Sequence, residues 1–253
     1  MRDPFVSVII PVLRDAKPLA ELLIRLDQVG RVEMEVIVAS GDASDPALDV
    51  VRRRWPSVQW VECSPGRARQ MNAGAEVATG QWLLFLHADA RLGEGWLDEI
   101  RCGAEDDAVG GCFRLEIDTP RWQARVIEHG VRWRVRWLGL AYGDQGLFIR
   151  RDLFRAMEGY RPMPVMEDAD LVRRMRRLGR LRYSAVGVSV SARRWERDGW
   201  FRRTAANLRI LLFYLAGRSP DRLAASYPAW QGPTEADPQP RHPVDKVPPV
   251  GGP

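Results

Sequence analysis

Residues 80–92 read GQWLLFLHADARL. Trp82 to Leu86 is an unbroken apolar run, which predicts a strand buried on both faces, and it stops abruptly at His87, Ala88 and Asp89. Strands of that kind belong to sheets covered by helices, and such sheets place ligands at the carboxyl ends of their strands. A carboxylate there is costly unless it is exposed or paired with a cation. Asp89 therefore has two readings. It caps the segment that follows, or it serves a hard divalent ion shared with a diphosphate.

The flanking sequence supplies the rest of the sheet. Residues 5–12, FVSVIIPV, read as a buried first strand, and Leu19, Leu22, Leu23 and Leu26 then recur at helical spacing. Residues 34–39, MEVIVA, read as a second strand, and Asp45-Pro46 as an N-cap with proline at the first helical position. A weaker third strand is expected at 58–61, a helix at 66–78 and the fourth strand at 82–87. This alternation implies βαβ units and a mixed, mainly parallel sheet flanked by helices, an α/β fold. The second half is less regular. Strands are expected at 110–117, 145–150 and 182–190, and helices within 121–142, over 167–179 and over 198–216. Residues 217–253 read as a C-terminal extension, Pro-rich and disordered beyond 228.

Composition bounds the alternatives. The 253 residues are 45% hydrophobic and 28% charged, an ordinary soluble globular mixture. No apolar run reaches the ~18–20 residues that span a bilayer. The N-terminal run is too short for a signal segment, so a cytoplasmic protein is expected. The net charge is +5 and nearly all of the basic residues are Arg, which suits a phosphate-bearing ligand, a nucleic acid, an anionic membrane face or merely solvated helices. Cys63, Cys102 and Cys112 lack C-x-x-C spacing and suggest neither a disulfide framework nor a zinc site.

Two further stretches bear on chemistry. Arg67 and Arg69 in 66-GRARQMNAG-74 sit near a helix N-terminus, where guanidinium charge adds to free N–H groups to favour an anion. Glu167-Asp168 opens another helix, either because the dipole favours acids there or because a carboxylate is being positioned. In order, SVIIPV, EVIVASGDASD, GRARQMNAGA, LLFLHAD, YGDQGLFIRR and MEDADLVRRMRRLG span residues 6 to 216. This series resembles a family 2 glycosyltransferase of GT-A (nucleotide-diphospho-sugar transferase) fold. Within that family it is most similar to a small soluble subgroup, linked to radical-SAM and selenium- or arsenic-associated gene clusters and labelled as of arsenosugar-biosynthesis type.

The resemblance implies a metal-dependent, inverting transfer of a sugar from a nucleotide-diphosphate donor to an acceptor hydroxyl. A UDP-sugar is the first expectation and a GDP-sugar the second. Residues 1–110 would hold the nucleotide and 111–216 the acceptor, within one domain over 1–216. Pro11 and Val12 would lie near the base. Ser40 stands where the family has a base-reading Asp, and Asp42 is a possible substitute. Arg67 and Asn72 match the family's basic segment near base and phosphates. Asp89 matches the last Asp of an Asp-x-Asp motif that holds Mn²⁺ or Mg²⁺. His87 replaces the first Asp and, with Ala88, lines the nucleotide. Asp168, in the Glu167-Asp168 pair, matches the catalytic base, since inverting transfer needs the attacking hydroxyl deprotonated. Tyr142, Asp144 and Gln145 match the acceptor side. Arg194 and Trp195, in 193-RRWER-197, are expected at the diphosphate or acceptor, and no third metal ligand is supported there.

Residues 121–137 mix Trp122, Trp133 and Trp137 with Arg121, Arg125, Arg132, Arg134 and Arg136. Such a stretch either buries Trp and solvates Arg, or meets a membrane interface or nucleic acid. It motivates one rival, a non-catalytic module for a polyanion or a membrane surface; the enzyme reading itself expects no nucleic-acid partner and leaves peripheral membrane contact open. A second rival, a nucleotidyltransferase, would need a glycine-rich loop after the first strand, where this chain has PVLRDAKP.

Overall fold

A computed structural model describes residues 5–29 and 33–226. The tail expected from 228 onward lies outside the described residues. The first half runs β1 (Val6–Val12), α1 (Ala16–Val29), β2 (Met34–Ser40), α2 (Pro46–Arg54), β3 (Gln59–Glu62), α3 (Arg67–Val77), β4 (Trp82–Phe85), β5 (Arg91–Leu92) and α4 (Trp96–Glu105). The second half runs β6 (Gly110–Asp118), α5 (Trp122–Leu138), a 3₁₀ turn (Gly143–Gln145), β7 (Leu147–Arg150), α6 (Arg151–Ala156), α7 (Glu167–Leu178), β8 (Leu181–Ser191), α8 (Arg193–Asp198), α9 (Trp200–Leu215) and α10 (Pro220–Ser226).

The period-two geometry of the strands divides the interior into two layers. Val6, Val8, Ile10 and Val12 of β1 and Trp82 and Leu84 of β4 pack with α1, α2 and α4. Ile9 of β1 and Leu83 and Phe85 of β4 face the other way, onto α3 and α7. The apolar runs are continuous because both faces are covered. On the second side α3 lies close to the sheet: a Cβ on Gly74 would come within 2.5 Å of Ile9 Cγ2. As expected, Asp45 caps α2, its carboxylate accepting from the Ala47 N–H at 2.9 Å, with Pro46 at the first helical position.

The strand order is β3-β2-β1-β4-β7-β6-β8-β5. β1 pairs parallel with β2 and β4, and β2 with β3. β7 is antiparallel to both β4 and β6, β6 and β8 are parallel, and β5 runs against β8. The sheet is mixed and mainly parallel, as the alternation implied. Because β2 and β4 flank β1, the chain leaves opposite sides of the first strand, and a crevice opens at the carboxyl ends of β1 and β4.

Several boundaries depart from the sequence reading. The fourth strand stops at Phe85, and a turn closed by Ala90 N–H to His87 O at 3.0 Å carries His87, Ala88 and Asp89 out of the ladder. Asp89 does not cap the next helix, since Gly95 occupies the N-cap of α4. Gln145 belongs to the 3₁₀ turn and β7 begins only after Gly146, whose φ of 60° breaks the extended run. The helix expected at 198–216 is α9, and a short helix that the sequence did not announce, α8, precedes it across Gly199 with φ of 85°. α10 adds a helix inside the stretch read as an extension, with Leu223 buried beneath it. Leu178, in the last turn of α7, is exposed.

Candidate functional site

A cavity of about 620 Å³ occupies the crevice. The loop after β1 brings Pro11 and Asp15 to it, the turn after β4 brings His87, Ala88 and Asp89, and the start of α3 brings Arg67 and Gln70. The 3₁₀ turn contributes Tyr142 and Asp144, the start of α7 Glu167 and Asp168, and α8 Arg194 and Trp195. Side chains from both halves of the chain thus meet at one place.

The two α7 carboxylates differ in surroundings. Asp168 Oδ2 accepts the Gly143 N–H at 2.7 Å and Oδ1 accepts the Ala169 N–H at 2.7 Å, which fixes its orientation while lone pairs remain on each oxygen. Gly143 itself is wedged in place: a Cβ there would lie 3.3 Å from His87 Nε2 and 3.4 Å from Asp168 Oδ2. Glu167 is buried, with Arg67 Nη1 3.6 Å from its Oε1. Burial, then the Asp168 charge, pushes Glu167 from 4.5 up to about 7, against the opposing pull of Arg67. A carboxyl raised in this way costs the fold nothing below its ordinary value, where folded and unfolded chains both hold the proton. The cost is complete above the raised value. Glu167→Gln is therefore expected to melt above the wild type at pH ~8, with the gap closing towards pH ~4. Thermal denaturation across that range checks this; a wild type at least as stable as the variant at the alkaline end refutes it.

Asp89 reaches the cavity with a partly exposed carboxylate, and Arg194 Nη2 lies 3.9 Å from its Oδ2. That pairing is too long for a hydrogen bond and leaves the oxygens available. Burial, then the nearby Asp89 charge, raises the Asp15 carboxyl above its usual range. His87 is held neutral: burial, then the charges of Arg67 and Arg194, drives its pKa well below the ordinary value. Asp144 is raised chiefly by burial, opposed by Arg134, and its Oδ1 has no hydrogen-bond partner. The Tyr142 hydroxyl is likewise buried and unpartnered, and burial pushes it up to about 12 while Arg134 stacks on its ring at 3.7 Å.

Five residues expected at the site sit elsewhere. Asn72 is spent on the backbone of Tyr160, donating to its carbonyl and accepting from its N–H, both at 2.8 Å, so it ties α3 to the loop before α7. Gln145 is buried and donates to Phe113 O at 3.2 Å while accepting from Arg134 at 3.2 Å; it braces the 3₁₀ turn instead of facing an acceptor. Val12 is buried, and its carbonyl accepts from Gln70 at 2.7 Å. The Ser40 hydroxyl is buried and bonds to Asp42 O at 3.0 Å. The Asp42 carboxylate takes the Ser44 N–H and hydroxyl and Arg14, outside the cavity lining. Ser40 and Asp42 are taken up by local turns, as short polar side chains often are, whereas Asn72 and Gln145 bond backbone far away in the chain.

The cavity also has lining that the sequence reading missed. Asp15 lies three residues beyond β1, and Gln70 lies one helical turn after Arg67, so both carried a positional signal. Gln70 bridges Val12 O and Ala39 O, closing the gap between β1 and β2. Arg203 and Asn207 of α9 carried no local signal; only the folding of α9 across the crevice brings them in.

Comparison with known proteins follows the same lines. The profile described as "Glycosyl transferase family 2" matches residues 7–162, ending before α7. A curated relative, the PGL/p-HBAD biosynthesis glycosyltransferase of Mycobacterium bovis (strain BCG / Pasteur 1173P2), is 32% identical over 99 residues, 37% of this chain and 39% of its own. The chain spans about two fifths of the length of the curated relatives it matches. Among solved structures, the mannosyltransferase PcManGT from Pyrobaculum calidifontis, in complex with GDP-Man and Mn²⁺, superposes with a TM-score of 0.64 at 19% identity over 89% of this chain and 69% of that one. S. aureus TarS 1-349 in complex with UDP-GlcNAc gives 0.57 at 16% identity over 74% and 58%. At these identities the structural likeness establishes the GT-A architecture, and the profile, matching more than half of the sequence, establishes the family: the chain belongs to glycosyl transferase family 2.

Proposed function

We propose that this chain transfers a sugar from a nucleotide-diphosphate donor to an acceptor hydroxyl, with inversion at the anomeric carbon. The observation that carries the reading is the placement of Asp89 and Asp168 on one cavity, from the ends of β4 and the start of α7, with Arg67 and Arg194 beside them. Arg67 and the N–H groups at the start of α3 suit the diphosphate. Asp168, oriented by two backbone donors, takes the acceptor's proton as its oxygen bonds to the anomeric carbon. The bond from that carbon to the phosphate oxygen breaks, and the diphosphate leaves with the electron pair. The unpartnered polar atoms of Tyr142 and Asp144 offer a donor and an acceptor for the incoming alcohol.

A divalent ion, Mn²⁺ or Mg²⁺, fits the chemistry at Asp89, a hard oxygen donor with no hydrogen bond from Arg194. Among the described residues no three His, Cys, Asp or Glu side chains gather as a metal cluster, so Asp89 would be joined by the donor's own diphosphate oxygens. Such an ion would offset the charge that develops on the leaving group. The Mn²⁺ complex of the Pyrobaculum neighbour supports this part of the reading.

The donor is a UDP-sugar or, second, a GDP-sugar; the neighbours bound to UDP-GlcNAc and GDP-Man support both. The assignment of residues 1–110 to the donor and 111–216 to the acceptor belongs to the same proposal, as does membership of the arsenosugar-biosynthesis-type subgroup, which rests on the motif order. A cytoplasmic location is also part of it, supported by three unpaired cysteines. Melting the protein with UDP, GDP, inorganic pyrophosphate and polyphosphate, each with and without Mn²⁺, tests the core claim. A nucleoside diphosphate with metal is expected to stabilise most. Equal stabilisation by every polyanion, independent of metal, rejects the enzyme reading.

A further inference from the structure

Helix α5 carries an exposed apolar stripe. Trp122, Val126, Trp133 and Trp137 are all at least half exposed and recur at intervals of one or two helical turns along one face. Arg125, Arg132 and Arg136 flank the stripe and are exposed. Helix α9 repeats the pattern with Phe201, Leu208, Leu212 and Leu215, beside exposed Arg202 and Arg209. The two helices meet where the Trp122 and Phe201 rings lie 6.0 Å apart, so the stripes belong to neighbouring elements. α5 contains one carboxylate, Glu128, which is buried, accepts from the Ile117 N–H and pairs with Arg125 at 3.1 Å; α9 contains none. At the edge, Glu196 faces Arg121 and Asp198 faces Arg197 and Arg203. Arg132, Arg136 and Arg209 face no carboxylate among the described residues.

We infer that this α5–α9 surface docks on an anionic phospholipid bilayer. Large aromatic and leucine side chains left in water at helical spacing, flanked by Arg132, Arg136 and Arg209 that face no carboxylate among the described residues, match a helix lying in a membrane interface. Indole rings settle at headgroup level, and guanidinium groups meet lipid phosphates. Nucleic acid fits less well, because Val126, Leu208, Leu212 and Leu215 make up half of the eight stripe side chains and have no face for base stacking. No described helix is long and apolar enough to cross a membrane, so the contact is one that lies on the surface. α9 also lines the cavity through Arg203, Asn207 and Ile210, so the docked surface and the site share a wall. The inference does not depend on the reaction assigned to that cavity.

Sedimentation of the full chain with vesicles tests it. Vesicles of phosphatidylcholine mixed with phosphatidylglycerol are expected to pull the protein down, and pure phosphatidylcholine vesicles are not. Added salt should weaken the binding. Trp133→Ser with Trp137→Ser should lower partitioning by about tenfold or more, and Arg132→Gln and Arg136→Gln by about fivefold each. All of these variants should keep the wild-type melting temperature and the stabilisation by UDP with Mn²⁺, which separates this surface from the cavity. Equal sedimentation with both vesicle types, or with neither, overturns the inference. So does a dimer in lipid-free buffer that the Trp variants split, which makes a second copy the occupant. Tighter salt-sensitive binding to a single-stranded oligonucleotide than to vesicles overturns it in favour of nucleic acid.

Discussion

Replacing Asp168 by Asn is expected to lower turnover roughly 10²–10⁴-fold, the usual contribution of a positioned general base. The side chain keeps its volume and one acceptor oxygen, so it can still receive one of the two backbone N–H bonds that orient it, from Gly143 or Ala169. An amide cannot take the proton of an attacking alcohol. Release of nucleoside diphosphate from a nucleotide sugar, with water as the acceptor, supplies a readout that needs no knowledge of the natural alcohol. Stabilisation by nucleoside diphosphate should survive in the variant, because no donor-binding role is assigned to Asp168. Loss of both together would mark a structural role, through the 3₁₀ turn that Gly143 begins. Full turnover would remove Asp168 from the mechanism. Glu167 does not replace it: Arg67 lies against its carboxylate, and burial keeps it partly protonated near neutral pH.

Asp89→Ala carries the second large effect. A ligand present at 100 times its Kd stabilises a protein by about 2.7 kcal/mol. In a domain of this size that corresponds to a rise in Tm of roughly 5–10 °C. Wild type with UDP and Mn²⁺ is expected to show such a rise, and Asp89→Ala to lose the part that depends on metal. The same substitution removes the main counter-charge of Arg194, whose pKa burial already lowers and Asp89 works to restore. Asp89→Ala should therefore also melt lower than wild type without ligand, whereas Asp89→Asn, which keeps a polar side chain beside the guanidinium, should melt closer to it. An unchanged Mn²⁺-dependent rise in Asp89→Ala would place the ion elsewhere, or exclude it.

Much of the site was legible because it sits at ends of elements. His87 and Asp89 follow an apolar run, Arg67 opens a helix after Ser64-Pro65-Gly66, and Glu167-Asp168 open another after Pro164-Val165-Met166; each boundary shows in the sequence. Asn72, Gln145 and Ser40 lie off the cavity lining for a related reason. Each is a polar side chain beside backbone groups that need partners: Ser40 closes a local turn on Asp42, while Asn72 and Gln145 reach Tyr160 and Phe113 through contacts that no local pattern encodes. Arg203 and Asn207 lie more than 30 positions beyond α7's first residue and enter only because α9 crosses the crevice.

The sequence by itself determined the alternation of strands and helices, the two-faced burial of β1, β2 and β4, and the chemical types present at the strand ends. Those follow from periodicity and from the cost of burying charge, which act over a few residues. Only the tertiary structure decided that β7 would enter antiparallel between β4 and β6, that the turn before it would press Gly143 between His87 and Asp168, and that the Trp and Arg of α5 would be left in water. These are outcomes of packing between segments distant in the chain. Which apolar faces find partners depends on the whole set of elements competing to be covered, and the stripe on α5 did not find one among the described residues.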